Sequence, residues 1–225
     1  MEASNNRQRT ENEMDLSYLA IRKSVGILGI VLPIILTTGT WFVCDCLPIK
    51  NSISSYYYTL SGNFLTGILC AVALFLFTYK GYNRGDHISA IIAGIGALAT
   101  AIFPTDAVKG ANCELITKPA SSFSDTAHFV GATLFFVTLA YMSLFLFTKS
   151  NKKKEDRKKP KRNRNRVYIT CGIIMLLALV FIPILKITAV ERIANSYKLE
   201  FCFETIALWA FGFSWLVKGE TVFKD

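Results

Sequence analysis

Histidine is nearly missing from this chain: among 225 residues only His87 and His128 carry an imidazole. A zinc centre built from three histidines therefore has no ligand set. The six cysteines, at 44, 46, 70, 113, 171 and 202, offer no CxxC spacing and no Cys/His cluster to replace it, so neither a metal nor a cofactor is expected. Long polar stretches are missing as well. The connections between apolar runs do not exceed about 20 to 25 residues, which leaves no room for a separate soluble domain. The first 21 residues are polar and of mixed charge, and no small-residue cleavage site follows the first apolar run, so a cleavable signal peptide is not expected.

What fills the chain is hydrocarbon: 52% hydrophobic residues, 17 Phe and a mean hydropathy of +0.38. The apolar residues fall into six runs, Ser24 to Cys44, Gly62 to Tyr79, His87 to Pro104, Asp125 to Phe147, Val167 to Leu185 and Phe201 to Val217. A helix needs roughly 17 to 25 apolar residues to cross a hydrocarbon layer, and the runs fit that window. A soluble helical bundle would show polar residues at helical period, and Gly67 to Phe77 shows none. The expected fold is all-α, a polytopic membrane protein with a six-transmembrane-helix bundle over residues 24–217. A polar tail covers 1–23, a basic loop covers 148–166 and a short tail covers 218–225.

Lys and Arg stay on the cytoplasmic side of a membrane, and placing the N-terminus there puts 19 of the 25 on that side. Both termini are therefore expected to be cytoplasmic, in a plasma or inner cell membrane. Most of the net charge of +9 lies in KSNKKKEDRKKPKRNRNR, Lys149 to Arg166. Without interleaved aromatics, and next to anionic lipid, residues 149–166 read as a topology signal touching anionic head groups, not as a nucleic-acid site. The same threading places Cys44, Cys46 and Cys113 at or beyond the outer boundary, where a bridge from Cys44 or Cys46 to Cys113 is permitted. LFLFT ends both the second and the fourth run, a faint internal repeat.

Polar groups held against an apolar layer are costly and are usually paired or used. Four stretches bring such groups to the outer end: Asn51 to Ser55 with Tyr56, Tyr57 and Tyr58; Phe103 to Asp106; Ser124 to His128; and Glu200 with Glu204. Asp125 and His128 are three apart and share a helix face, so the carboxylate can hold the imidazole. Glu204 lies about one turn inside its run and needs a partner, for which His128 is a candidate. One reading is an outer pocket in which His128, flanked by Asp125 and Glu204, handles a proton or a lipid head group. In the other, Asp125 caps its helix, His128 satisfies a carbonyl and Glu204 pairs with Lys198 or Arg192. The ligand-binding candidates are Ser54, Tyr57, Asp106, Asp125, His128 and Glu204. No catalytic residue is assigned, with His128, Asp125 and Ser54 (or Ser124 as nucleophile) as candidates. The tyrosines read as interfacial anchors and Asp86 as the cap of the third helix. Small residues in IIAGIGALATA, and Gly131 with Ala132, predict that the third and fourth helices approach closely, sit centrally and turn His128 toward protein.

The order NSISSYYYTLSGNFLTGIL, a Gly/Ala-rich third run and HFVGATLFF resembles the DRAM/FRAG/Sfk-type superfamily of six-span membrane proteins and the bacterial membrane proteins grouped near it. Ile53, Ser54, His128, Gly131 and Ala132 match at motif level. The chain departs at Phe129, where eukaryotic members usually carry Asn. The resemblance implies a six-span fold linked to autophagy, GPI-lipid remodelling and plasma-membrane lipid organisation, without a defined reaction. The alkaline ceramidase and receptor-like hydrolases also have membrane Ser, Asp and His residues, but they hold zinc with three histidines across seven spans, which this chain cannot supply. Three readings follow: a protein that binds or organises lipid at its outer face, a small transporter or lipid mover, and a metal-free enzyme acting on lipid. The oligomeric state is left open.

Overall fold

The computed structural model describes residues 2–44, 49–81, 83–105, 120–149 and 159–221. Seven α-helices run in order: α1 (Glu2–Cys44), α2 (Gly62–Thr78), α3 (Arg84–Ile102), α4 (Ser122–Tyr141), α5 (Lys159–Leu185), α6 (Thr188–Ser196) and α7 (Leu199–Lys218). A short 3-10 turn, Ser54–Tyr58, precedes α2, and a π-helical turn, Met142–Leu146, continues α4. Among the described residues there is no strand.

By length and composition five segments can cross a bilayer: Ser17–Phe42, Arg84–Ile102, Ser122–Leu146, Lys161–Leu185 and Leu199–Lys218. The remaining apolar run, the second in order, forms α2, which is apolar but only 17 residues long. At 1.5 Å per residue it reaches about 26 Å. Large apolar side chains such as Leu74, Val180 and Phe42 point outward from the helices. Such a surface is costly in water and neutral in lipid, which agrees with an all-helical membrane protein.

The helices form a ring. Each of α1 to α5 packs on its sequence neighbour, and α7 closes the circle against α5 and α1, while α6 lies against the start of α7 and the end of α5. Two seams are drawn tight by glycine. A Cβ on Gly96 would stand 2.7 Å from the Gly131 carbonyl oxygen and 2.7 Å from the Phe135 nitrogen, so α3 and α4 touch backbone to backbone. Gly26 and Gly212 do the same for α1 and α7, with Cβ-to-carbonyl distances of 2.7 and 2.6 Å. The expectation of a close α3–α4 pair thus has a structural basis. The centre of the bundle falls elsewhere: α7 has the most helix neighbours, touching α1, α4, α5 and α6, and large aromatics fill the interior beside it.

Phe135 of α4 meets Phe211 of α7 at 5.6 Å between centroids, and Trp215 stacks edge-on with Tyr79 at 5.1 Å and Phe147 at 5.5 Å. Beside them Ser143 donates to the Tyr168 carbonyl at 2.9 Å, which leaves its oxygen to accept from Ser214 at 2.7 Å. The Ser143 and Ser214 hydroxyls are thereby consumed by each other.

Helix starts differ from expectation in two places. The cap of α3 is Asn83, whose extended backbone lets its side chain accept from the Asp86 N–H at 3.1 Å; Asp86 stands one turn further in. The cap of α4 is Ser121, accepting from the Ser124 N–H, so Asp125 lies in the first turn and does not cap. A short side chain immediately before the first helical residue satisfies an orphan N–H, a position neither aspartate holds.

The glycine seams give a paired test. Gly96→Ala should cost roughly 1–3 kcal/mol in thermal stability in detergent, because the atoms it meets are backbone and cannot yield. At Gly67 an added Cβ would meet nothing within 4 Å, so alanine should be neutral there or gain up to about 1 kcal/mol.

Candidate functional site

The chain leaves α3 at Phe103, and the last carbonyls of a helix have no partner within it. Just beyond the last helical residue, the carbonyls of three consecutive residues are met by side chains from elsewhere. His128 Nδ1 lies 2.7 Å from the Phe103 oxygen, Ser124 Oγ donates to Pro104 at 2.8 Å, and the Tyr58 hydroxyl donates to Thr105. His128 and Ser124 stand on the first turns of α4, and Tyr58 ends the 3-10 turn. The α3 exit is thus sealed by α4 and by the segment before α2.

A carbonyl oxygen can only accept, so the hydrogen sits on Nδ1 of His128 and the neutral ring presents Nε2 as an acceptor. Ser54 Oγ lies 3.0 Å from Nε2 and is the donor. His128 is 4% exposed, about 9 Å along α4 from its start. It faces protein, as its small neighbours Gly131 and Ala132 imply. Both of its nitrogens are engaged by Phe103 and Ser54, so Asp125 does not hold the ring by hydrogen bond; its charge acts on the imidazole through space.

Glu204 is likewise placed differently from expectation. Its carboxylate accepts from the Ile53 N–H at 2.5 Å, and His128 is not its partner. The next contact along α7 also holds this segment: the Phe201 N–H donates to the Asn51 carbonyl at 2.8 Å. Lys198, in left-handed conformation at φ 53°, donates through Nζ to Asn51 Oδ1 at 2.5 Å. Asn51 Nδ2 in turn reaches Asn195 Oδ1 at 3.3 Å. The residues flanking Ser54 are therefore clamped from α6 and α7, while Ser54 itself is held from α4.

A cavity of about 310 Å³ opens beside this clamp. Of the six residues named from sequence, Ser54 and Asp125 line it. His128 stands behind Ser54, Glu204 holds the neighbouring backbone, and Tyr57 packs on Tyr58 at 5.5 Å instead of lining the cavity. Asp106, and the proposed Cys46–Cys113 bridge, lie outside the described residues; Cys70, Cys171 and Cys202 are free thiols. The tyrosines are not a lipid-facing belt: Tyr56 and Tyr58 are buried, and Tyr56 accepts from the Lys50 N–H at 3.4 Å. Burial pushes its phenol pKa up, against a smaller opposite pull from that N–H, and keeps the hydroxyl neutral.

Sequence reading missed Lys186, Glu191 and Asn195, and named Glu200 without a role. Lys186 is central. Its ammonium lies 4.0 Å from the Phe129 ring centroid and 3.4 Å from Glu200 Oε1. Phe129, the position where this chain departs from the motif it resembles, thus offers a ring face to a cation. Glu191, Ala194 and Asn195 line the cavity from α6. Their i, i+3, i+4 spacing was the available signal, hidden because the segment between the last two runs reads as a loop.

The clamp on Ile53 distinguishes acceptor from charge. Glu204→Ala, which orphans a buried N–H, should lower stability by about 1–3 kcal/mol, whereas Glu204→Gln keeps an acceptor oxygen and should lose much less. Equal losses on thermal unfolding would show that the carboxylate charge, and not acceptance, holds the segment.

No curated protein and no solved structure matches the chain. Residues 47–197 match the family described as "Protein of unknown function (DUF998)", a stretch that includes Ser54, Asp125, His128 and Lys186 and ends before Glu204. With two thirds of its length matched, and that stretch running from the loop before α2 through α6, the chain belongs to the DUF998 family.

Proposed function

We propose that this is a six-span protein of the cell membrane, with α2 as the sixth span and both termini cytoplasmic, whose outer cavity binds the polar head group of a membrane lipid. The observation that carries the reading is the cavity lining. Lys186, Asp125, Glu191 and Glu200 line one cavity of about 310 Å³ together with Ser52, Ser54 and Ser55. A zwitterionic head group fits that pattern: its phosphate meets the ammonium of Lys186 and its amine meets the carboxylates. The surrounding helices carry exposed Phe and Ile, a surface against which acyl chains lie without cost.

Orientation is supported by the opposite end. Arg22, Lys161, Arg164 and Lys218 approach one another there, close enough to interact electrostatically around Asp86. Anionic head groups beside the basic segment 149–166 complement that excess charge. The resemblance to DRAM/FRAG/Sfk-type proteins points the same way, toward lipid organisation. A transport reading has less support, because Ser143 and Ser214 satisfy each other in the inner half.

Native mass spectrometry of protein purified in mild detergent tests the binding. Lys186→Ala should lose a co-purifying lipid about tenfold relative to wild type, the loss of one charge-assisted contact of about 1.5 kcal/mol. Lys80→Ala, exposed at the other end, should retain it. Equal retention in both variants overturns the proposal. For topology, trypsin added to sealed vesicles should cleave within residues 149–166 only when the cytoplasmic face is outside; cleavage in the opposite orientation reverses the assignment.

A further inference from the structure

We propose that Ser54 is a nucleophile activated by His128, and that it cleaves an acyl ester of the lipid whose head group the outer cavity holds. The inference rests on the binding reading above and adds a reaction to it. Three observations carry it. Ser54 lines the cavity, so a reacting carbonyl can approach it. Its hydroxyl lies 3.0 Å from Nε2 of His128, within the range for proton transfer. The Phe103 carbonyl, 2.7 Å from Nδ1, fixes the tautomer in which Nε2 is the base. A buried imidazole whose far nitrogen is held by an acceptor, and whose near nitrogen faces a hydroxyl, has the arrangement of an activated serine with its orienting group.

The chemistry balances with water as the only co-reactant. Ser54 Oγ bonds to the ester carbonyl carbon as its proton passes to Nε2, and the imidazolium keeps its Nδ1–H on Phe103. The carbon–oxygen bond to the alcohol breaks, Nε2 returns the proton to the departing oxygen, and an acyl-Ser54 remains. Water then attacks this ester, gives its proton to Nε2 and on to Ser54 Oγ, and releases the fatty acid. Asp125, one turn before His128, interacts with the charge that develops on the ring. Ser52 and Ser55 line the cavity too, but their hydroxyls are paired with each other at 2.7 Å.

A fluorophosphonate probe, applied to the intact protein in detergent and mapped by mass spectrometry, reads this directly. The expected result is a phosphonyl adduct on Ser54 forming at least about a hundredfold faster than on Ser52 or Ser55, the ordinary size of a general-base effect. It should be absent in Ser54→Ala and slowed to a similar degree in His128→Gln. An unlabelled Ser54, or labelling spread equally over the three serines, overturns the proposal. This comparison is internal to the wild type, so it stands even where His128→Gln loosens the fold. Lipid content separates the two readings. A wild type that keeps its lipid but leaves Ser54 unlabelled sinks the nucleophile and spares the binding site. Labelled Ser54 with lipid unchanged in Lys186→Ala keeps the nucleophile and removes the head-group reading.

Discussion

The constraint on which this structure depends is that a chain entering hydrocarbon must satisfy its backbone polar groups within itself. Helices do this along their length and fail at their ends. Where the chain leaves α3, the carbonyls of Phe103, Pro104 and Thr105 just beyond the helix are met by His128, Ser124 and Tyr58. Next to Ser54, the Ile53 N–H is met by Glu204. The opposite end of the bundle repeats the device, with Lys161 donating to the Phe147 carbonyl and Asn165 to that of Thr148. Polar side chains near both membrane faces are thus first of all partners for backbone.

That first duty explains why a histidine in so apolar a chain acquires chemical character. A buried imidazole spent on a carbonyl has one nitrogen left over, and its protonation state is no longer free. Whatever meets that nitrogen must donate, and the segment before α2 is clamped so that Ser54 does. The clamp draws on Asn51 and Ile53 ahead of the 3-10 turn, Lys198 in the link from α6 to α7, and Phe201 and Glu204 on α7. The two alternatives posed by the sequence, a satisfied carbonyl and a working site, are therefore not exclusive. The same hydrogen bond at Nδ1 serves the first and sets the geometry of the second.

Much of the fold was legible because hydrophobic length is a one-dimensional signal. Each of the six runs lies within an apolar helix, five of them long enough to span, and Gly96 and Gly131 announced a close crossing. But α1 and α5 begin well ahead of their runs, at Glu2 and Lys159, so nearly all of the expected tail 1–23 and the end of the expected loop 148–166 are helical. The Gly26–Gly212 seam was equally decisive and was not read, since Gly212 in the last run and Gly26, one of three glycines in the first, look like any other small residues until the partner helix is known. Of the site, Ser54, Asp125 and His128 were found by depth and spacing. The pairing among them was not: the rule that Asp and His three apart share a face is true of α4, yet the ring turned toward Phe103 because an orphan carbonyl competes for it. Lys186 and α6 were missed for a different reason. A nine-residue interfacial helix has neither the length of a span nor a turn signature.

The family match sharpens how these pieces divide. Residues 47–197 include the serine, the histidine and the lysine, while the carboxylate that braces Ile53 comes from α7, beyond that stretch. The first and last helices close the ring through Gly26 and Gly212. Closing it brings α7 alongside the 51–58 segment. The Ser54–His128 pair therefore depends on a contact elsewhere in the bundle: α1 holds α7 in place, α7 holds Asn51 and Ile53, and these hold Ser54 against His128. A defect at the α1–α7 seam would reach the outer cavity through this chain of backbone contacts without altering any residue that lines it.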